Sequence, residues 1–149
     1  MNRIIVRHYC TEQKCPPVEQ TLETLQRLVA EMEPKLKNIG FNIELELLNL
    51  SNAKETSHQD INKVTISCKE MDFDETPLEE IIGVPVHMEP CPCGGDLNEC
   101  RALIVEGKSF QALPPGLILD GILRVAFSAL DQLGGTCGHS CDGCGGCGG

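Results

Sequence analysis

Residues 3–18 read Arg3-Ile4-Ile5-Val6-Arg7-His8-Tyr9-Cys10-Thr11-Glu12-Gln13-Lys14-Cys15-Pro16-Pro17-Val18. This stretch decides the fold. Ile4, Ile5 and Val6 form a short apolar run that suits a buried strand. The run stops at Cys10, and Pro16-Pro17 fits the first turn of a helix, where a missing N–H costs nothing. From Val18 the apolar residues Leu22, Leu25, Val29, Met32 and Leu36 recur at alternating steps of four and three. That spacing predicts one apolar stripe on a helix of about five turns, ending at Gly40.

Working outward, Phe41, Ile43, Leu45 and Leu47 alternate with polar residues and predict a second strand. The polar segment Ser51–Asn62 reads as a loop, and Val64–Cys68 as a third strand. Thr76-Pro77-Leu78-Glu79-Glu80-Ile81-Ile82-Gly83 carries a capping residue, a proline at the next position and a closing glycine, which predicts one or two helical turns. Its acidic pair Glu79-Glu80 reads as a solvated helix face. Cys91–Cys100 reads as a Pro/Gly loop. Arg101–Val105 and Ser109–Leu113 flank a Gly107 turn and predict a hairpin. Pro114-Pro115 opens a second long helix with Leu117, Ile118, Ile122, Val125, Ala126 and Leu130 inward, closed by Gly134-Gly135. Strand, helix, strand, strand, hairpin, helix predicts an α/β fold with helices packed on a small mixed sheet. The domain covers 1–133. The segment 134–149, rich in Gly and Cys and without an aliphatic residue, predicts a disordered metal-binding tail.

The chain of 149 residues is 41% hydrophobic with no Trp, one Tyr and four Phe, so its core is aliphatic. A net charge of −10 argues against nucleic acid or an anionic membrane as partner. No targeting signal and no run of the roughly 18 apolar residues of a membrane span is visible. The expected location is the cytoplasm, where thiols stay reduced. Ten cysteines there point to metal binding or redox chemistry.

The cysteines form three groups. Cys10 and Cys15 flank the strand-to-helix junction, an exposed and reactive location, with Cys15 at a helix N-terminus whose dipole and free N–H groups favour a thiolate, helped by Lys14. Cys91, Cys93 and Cys100 can hold one ion on three sulfurs. Zinc, the first candidate, wants a fourth ligand from Cys10, Cys15, His8 or His87, whereas three thiolates alone suit copper(I), arsenite or mercuric ion. Cys91 and Cys93 can alternatively form a strained disulfide used in exchange. Cys137, Cys141, Cys144 and Cys147, with His139 between them, have spacing that suits a soft ion or an iron–sulfur cluster. Cys68 reads as a core residue.

The cysteine pair after the first strand, Pro77–Gly83, the Cys91/Cys93 loop leading to Glu99-Cys100-Arg101, and the Gly107, Phe110, Ala112, Pro114 step resemble a small prokaryotic family catalogued as domain of unknown function number 2703. The resemblance covers 1 to about 133. It implies a thioredoxin-like fold and no established activity. Thioredoxin-like oxidoreductases place a proline before the strand facing the cysteines, and Ile61-Asn62-Lys63 precede Val64 here, which favours binding over catalysis. The expected function is binding or transfer of a soft metal, metalloid or iron–sulfur unit through Cys10, Cys15, Cys91, Cys93, Cys100, Cys137, Cys141, Cys144, Cys147 and His139. The alternatives are a thiol–disulfide oxidoreductase using Cys10 and Cys15 with a redox partner protein, and a structural zinc module for protein interaction.

Overall fold

The computed structural model describes residues 2–10, 15–50, 60–90 and 99–133, with side chains described as far as 128. Its elements are β1 (Asn2–Cys10), α1 (Pro16–Lys37), β2 (Phe41–Asn49), β3 (Val64–Cys68), β4 (Phe73–Pro77), α2 (Leu78–Ile82), β5 (Val86–Pro90), β6 (Glu99–Val105), β7 (Lys108–Phe110) and α3 (Pro115–Leu133). A 3-10 turn, Lys69–Met71, joins β3 to β4.

β1, α1 and β2 form a parallel unit in which Ile4 lies opposite Ile43 and Cys10 opposite Asn49. A parallel pair needs a long crossover, and α1 supplies it. β3 runs antiparallel to β1, with His8 opposite Val64, and β4 runs antiparallel to β3. The strand order of this sheet is β2-β1-β3-β4. The α/β class and the mixed sheet are as the sequence predicts. The structure adds a second sheet: β5-β6-β7 pair antiparallel among themselves. β4 and β5 carry no continuous apolar pattern, so no local signal marks them as strands.

Strand alternation puts Ile4 and Val6 of β1, Phe41 and Ile43 of β2, and Val64 and Ile66 of β3 into one core with Leu25, Leu28, Met32 and Leu36 of α1 and Ile118, Ile122 and Val125 of α3. Leu103 of β6 joins them and ties the second sheet to the first. Each such aliphatic side chain contributes about 1.5–3 kcal/mol on burial. The α1 stripe is rotated slightly from the predicted one: Thr21 and Leu28 are buried where Leu22 and Val29 are only half-buried. Thr21 fits because its Oγ1 accepts the Leu113 N–H at 3.1 Å. Leu47, predicted to face inward, is 49% exposed because β2 is the sheet edge.

Local geometry is set by a few residues. Glu106 and Gly107 have φ of 52° and 80°, the pair of positive values a two-residue hairpin turn needs. In α2 the N-cap is Pro77 rather than Thr76, and Gly83 closes the helix in the left-handed region. α3 approaches α2 so closely that a Cβ on Gly121 would lie 2.3 Å from Leu78 Cδ1. Among the described residues no helix is long and apolar enough to cross a membrane.

Candidate functional site

The end of β1, the start of α1 and the start of β6 meet around sulfur. Cys15 is the N-cap residue of α1, with extended backbone, and its carbonyl accepts the Glu19 N–H at 3.0 Å. Cys100 is the second residue of β6, opposite Glu89 of β5. The two sulfurs lie 3.9 Å apart across 85 residues of sequence. Both cysteines are disulfide-bonded. A disulfide needs about 2.05 Å, so their mutual contact is non-bonded. Around them pack Val18 and Ile61, with Cys10 and Leu50 partly buried against the group.

This corrects the expectation of an exposed junction. Cys15 is 1% and Cys100 8% exposed. The reason is the apolar cap made by Val18 and Ile61, which sequence reading had no means of bringing together. The helix N-terminus at Cys15 also offers fewer free N–H groups than expected, because Pro16 and Pro17 occupy the first two helical positions and bring none. Cys10 is half-buried and its Sγ donates to the Leu48 carbonyl at 3.6 Å. Burial pushes its thiol pKa up, so the free thiol is protonated at neutral pH. Cys100 lies in a strand, not in the predicted loop.

The next shell is polar and buried. Arg101 forms a two-pronged pair with Glu79 of α2, 2.6 Å at its shorter arm, with side chains only 7% and 13% exposed. The reading of Glu79 as a solvated face is therefore corrected; Glu80 alone fits it. Beside this pair a cavity of about 360 Å³ opens between Lys63, Pro77, Met88 and Arg101. On β1, two residues before Cys10, His8 is fully buried and its Nε2 lies 2.7 Å from Asn62 Oδ1. Burial lowers the His8 pKa against the raising effect of that hydrogen bond. The sequence offers His8 only as one of four candidates for a fourth zinc ligand. Nothing signalled Asn62.

Of the remaining expected donors, His87 is exposed on β5 and Cys68 is fully buried in the main core. Cys91, Cys93, Cys137, Cys141, Cys144, Cys147 and His139 lie outside the described residues. Among the described residues no three His, Cys, Asp or Glu side chains converge to hold an ion. The structure thus joins one member of the first cysteine group to one member of the second, with Cys10 alongside.

No curated protein matches the chain. No solved structure matches it either. A family model described as Domain of unknown function (DUF2703) matches residues 3–122, from β1 into α3 and across every element that builds the sulfur cluster. The chain belongs to this family.

Proposed function

We propose that the protein binds a soft or borderline metal or metalloid ion through thiolates, in the reducing cytoplasm. The observation that carries this reading is the 3.9 Å separation of the Cys15 and Cys100 sulfurs. With metal–sulfur bonds of about 2.3 Å, a tetrahedral site has sulfur–sulfur edges of about 3.8 Å and a trigonal one about 4.0 Å. Once reduced, two thiols at this spacing span one edge of such a site with no backbone movement. Cys91 and Cys93 are the donors the sequence suggests to complete it, because they precede β6 by only a few residues. Ion binding also overcomes the raised thiol pKa at Cys10, since a metal displaces the thiol proton. The four tail cysteines with His139 fit the same chemistry as a collecting arm.

The test is purification under reducing, oxygen-free conditions, followed by elemental analysis and a free-thiol count. About one ion per chain, with protection of Cys15 and Cys100 from alkylation, is the expected result. Metal-free protein whose thiol reactivity is unchanged by added zinc, copper(I) or arsenite removes the proposal.

One observation favours a second reading, thiol–disulfide exchange: Cys15 and Cys100 are both disulfide-bonded, with their sulfurs in contact. In that reading one of the two disulfides is first reduced, and the thiolate so freed attacks the neighbouring sulfur, forming one S–S bond as the other disulfide breaks and its far sulfur leaves as a thiolate. A redox partner dithiol supplies the electrons. Disulfide reductase turnover that vanishes in Cys15→Ser supports it, and turnover that survives the change counts against it.

A further inference from the structure

His8 carries one of the few buried polar atoms without a hydrogen-bond partner among the described residues, Nδ1. The two others are a rotatable hydroxyl, Ser67 Oγ, and Arg101 Nε on a guanidinium already paired with Glu79. Nδ1 differs because its chemistry is fixed by its surroundings. Asn62 Nδ2 donates to the Gln111 carbonyl at 2.7 Å, which turns Oδ1 toward His8. That oxygen only accepts, so His8 Nε2 carries the ring hydrogen and Nδ1 keeps a bare lone pair. An unfilled buried acceptor costs about 1–3 kcal/mol, so such an atom calls for an explanation, a bound ion among them. Metal-binding histidines have this arrangement, with one nitrogen bare and the other held by a second residue that fixes the ring.

Placement points the same way. His8 and Cys10 share one face of β1, about 6.7 Å apart along the strand. Nδ1 is the ring nitrogen nearer the backbone, which suits a short chelate between neighbouring same-face residues. Asn62, which holds the ring, follows Ile61, and Ile61 packs with Cys15 and Cys100.

We propose that in the reduced protein His8 Nδ1 is the nitrogen donor to the ion held at the Cys10, Cys15 and Cys100 cluster, making the site a mixed nitrogen–sulfur one. The inference rests on the metal-binding reading above and deepens it. In the oxidised form two of these sulfurs are committed to disulfides, and no three donors converge among the described residues. Reduction frees both sulfurs to ligate at the spacing they already have. An imidazole among thiolates selects a borderline divalent ion such as zinc over copper(I) or arsenite, which prefer sulfur alone.

The test uses the full chain, reduced and free of oxygen, with zinc and arsenite as probes. His8→Gln is expected to weaken zinc binding by about tenfold or more and to leave arsenite binding unchanged, a selectivity change that loss of a merely structural histidine does not produce. Zinc affinity within about twofold of the unaltered chain overturns the inference and leaves the metal-binding proposal standing. Where His8→Gln fails to fold, the unaltered chain labelled with 15N-histidine and loaded with 113Cd gives the answer. Coupling between cadmium and His8 Nδ1 is expected, and its absence overturns the inference. An unaltered chain that takes up no ion removes both proposals, a result distinct from either variant outcome.

Discussion

Replacing Asn62 with alanine acts on three structural features at once. It deletes the acceptor of the His8 Nε2 hydrogen bond at 2.7 Å and leaves that N–H buried without a partner, at a cost of about 1–3 kcal/mol. It deletes the donor to the Gln111 carbonyl, also at 2.7 Å, for about 0.5–1.5 kcal/mol more. It also places a Cβ-bearing residue without a local polar side chain at φ of 71°, which adds about 1 kcal/mol. The sum is on the order of 3–5 kcal/mol, a large part of the 5–15 kcal/mol typical of a domain. Asn62→Gly loses the same two bonds and avoids the backbone cost, so it should lie about 1 kcal/mol above the alanine variant. Urea unfolding under reducing conditions measures both, provided the slope m is unchanged. The 15N shifts of His8 report the tautomer, and free exchange between the two ring forms is expected in either variant. A loss below about 1 kcal/mol in Asn62→Ala, or an Asn62→Gly variant as stable as the unaltered chain, would refute a structural role for the His8–Asn62–Gln111 hydrogen bonds.

Three other outcomes follow from the packing and charge. Gly121→Ala should destabilise by about 1–2 kcal/mol despite its better helix propensity, because the new Cβ meets the fully buried Leu78 at 2.3 Å and Ile66 at 3.2 Å; Leu78→Ala in the same chain should relieve part of that loss in thermal unfolding. Glu79→Gln leaves Arg101 as a buried unpaired charge and should cost about 3–5 kcal/mol, whereas Glu79→Gln with Arg101→Met should recover most of it; equal losses in the single and double variants would rule this out. For Glu75, burial alone raises the pKa, but hydrogen bonds from Tyr9 and Thr65 and the Arg7 charge outweigh it, so the folded pKa is lowered, while Tyr9 is pushed up to about 12 by burial and by Glu75. A depressed carboxylate pKa gives stability that is present above the unfolded value of about 4.3 and lost as pH falls through the folded value. Glu75→Gln should therefore flatten the acid limb of a stability–pH profile below about pH 4.3, and an unchanged limb would contradict the assignment.

Much of the fold could be read directly. The apolar runs of β1 and β3, the alternation of β2, the α1 and α3 periodicities and the Gly107 turn are local signals, each contained within a few residues of chain. The cysteine groups were equally visible, as was the core role of Cys68, since composition and spacing need no tertiary information. β4 and β5 were missed because short, half-exposed strands carry no periodicity strong enough to stand out from a loop. Glu79 was misread because one acidic residue on a short helix looks solvated until its partner, Arg101, is brought to it from a different sheet.

By itself, then, the sequence determined that this protein is an α/β domain with its cysteines in three groups, because hydrophobic period and residue type are properties of the chain alone. Which sulfurs meet was decided only by the tertiary structure. Cys15 comes into contact with Cys100, 85 residues away, as well as packing with its near neighbour Cys10, because β6 carries Cys100 to the start of α1. The same packing buries both of them. Burial and contact depend on elements far apart in the chain, and no local pattern encodes them.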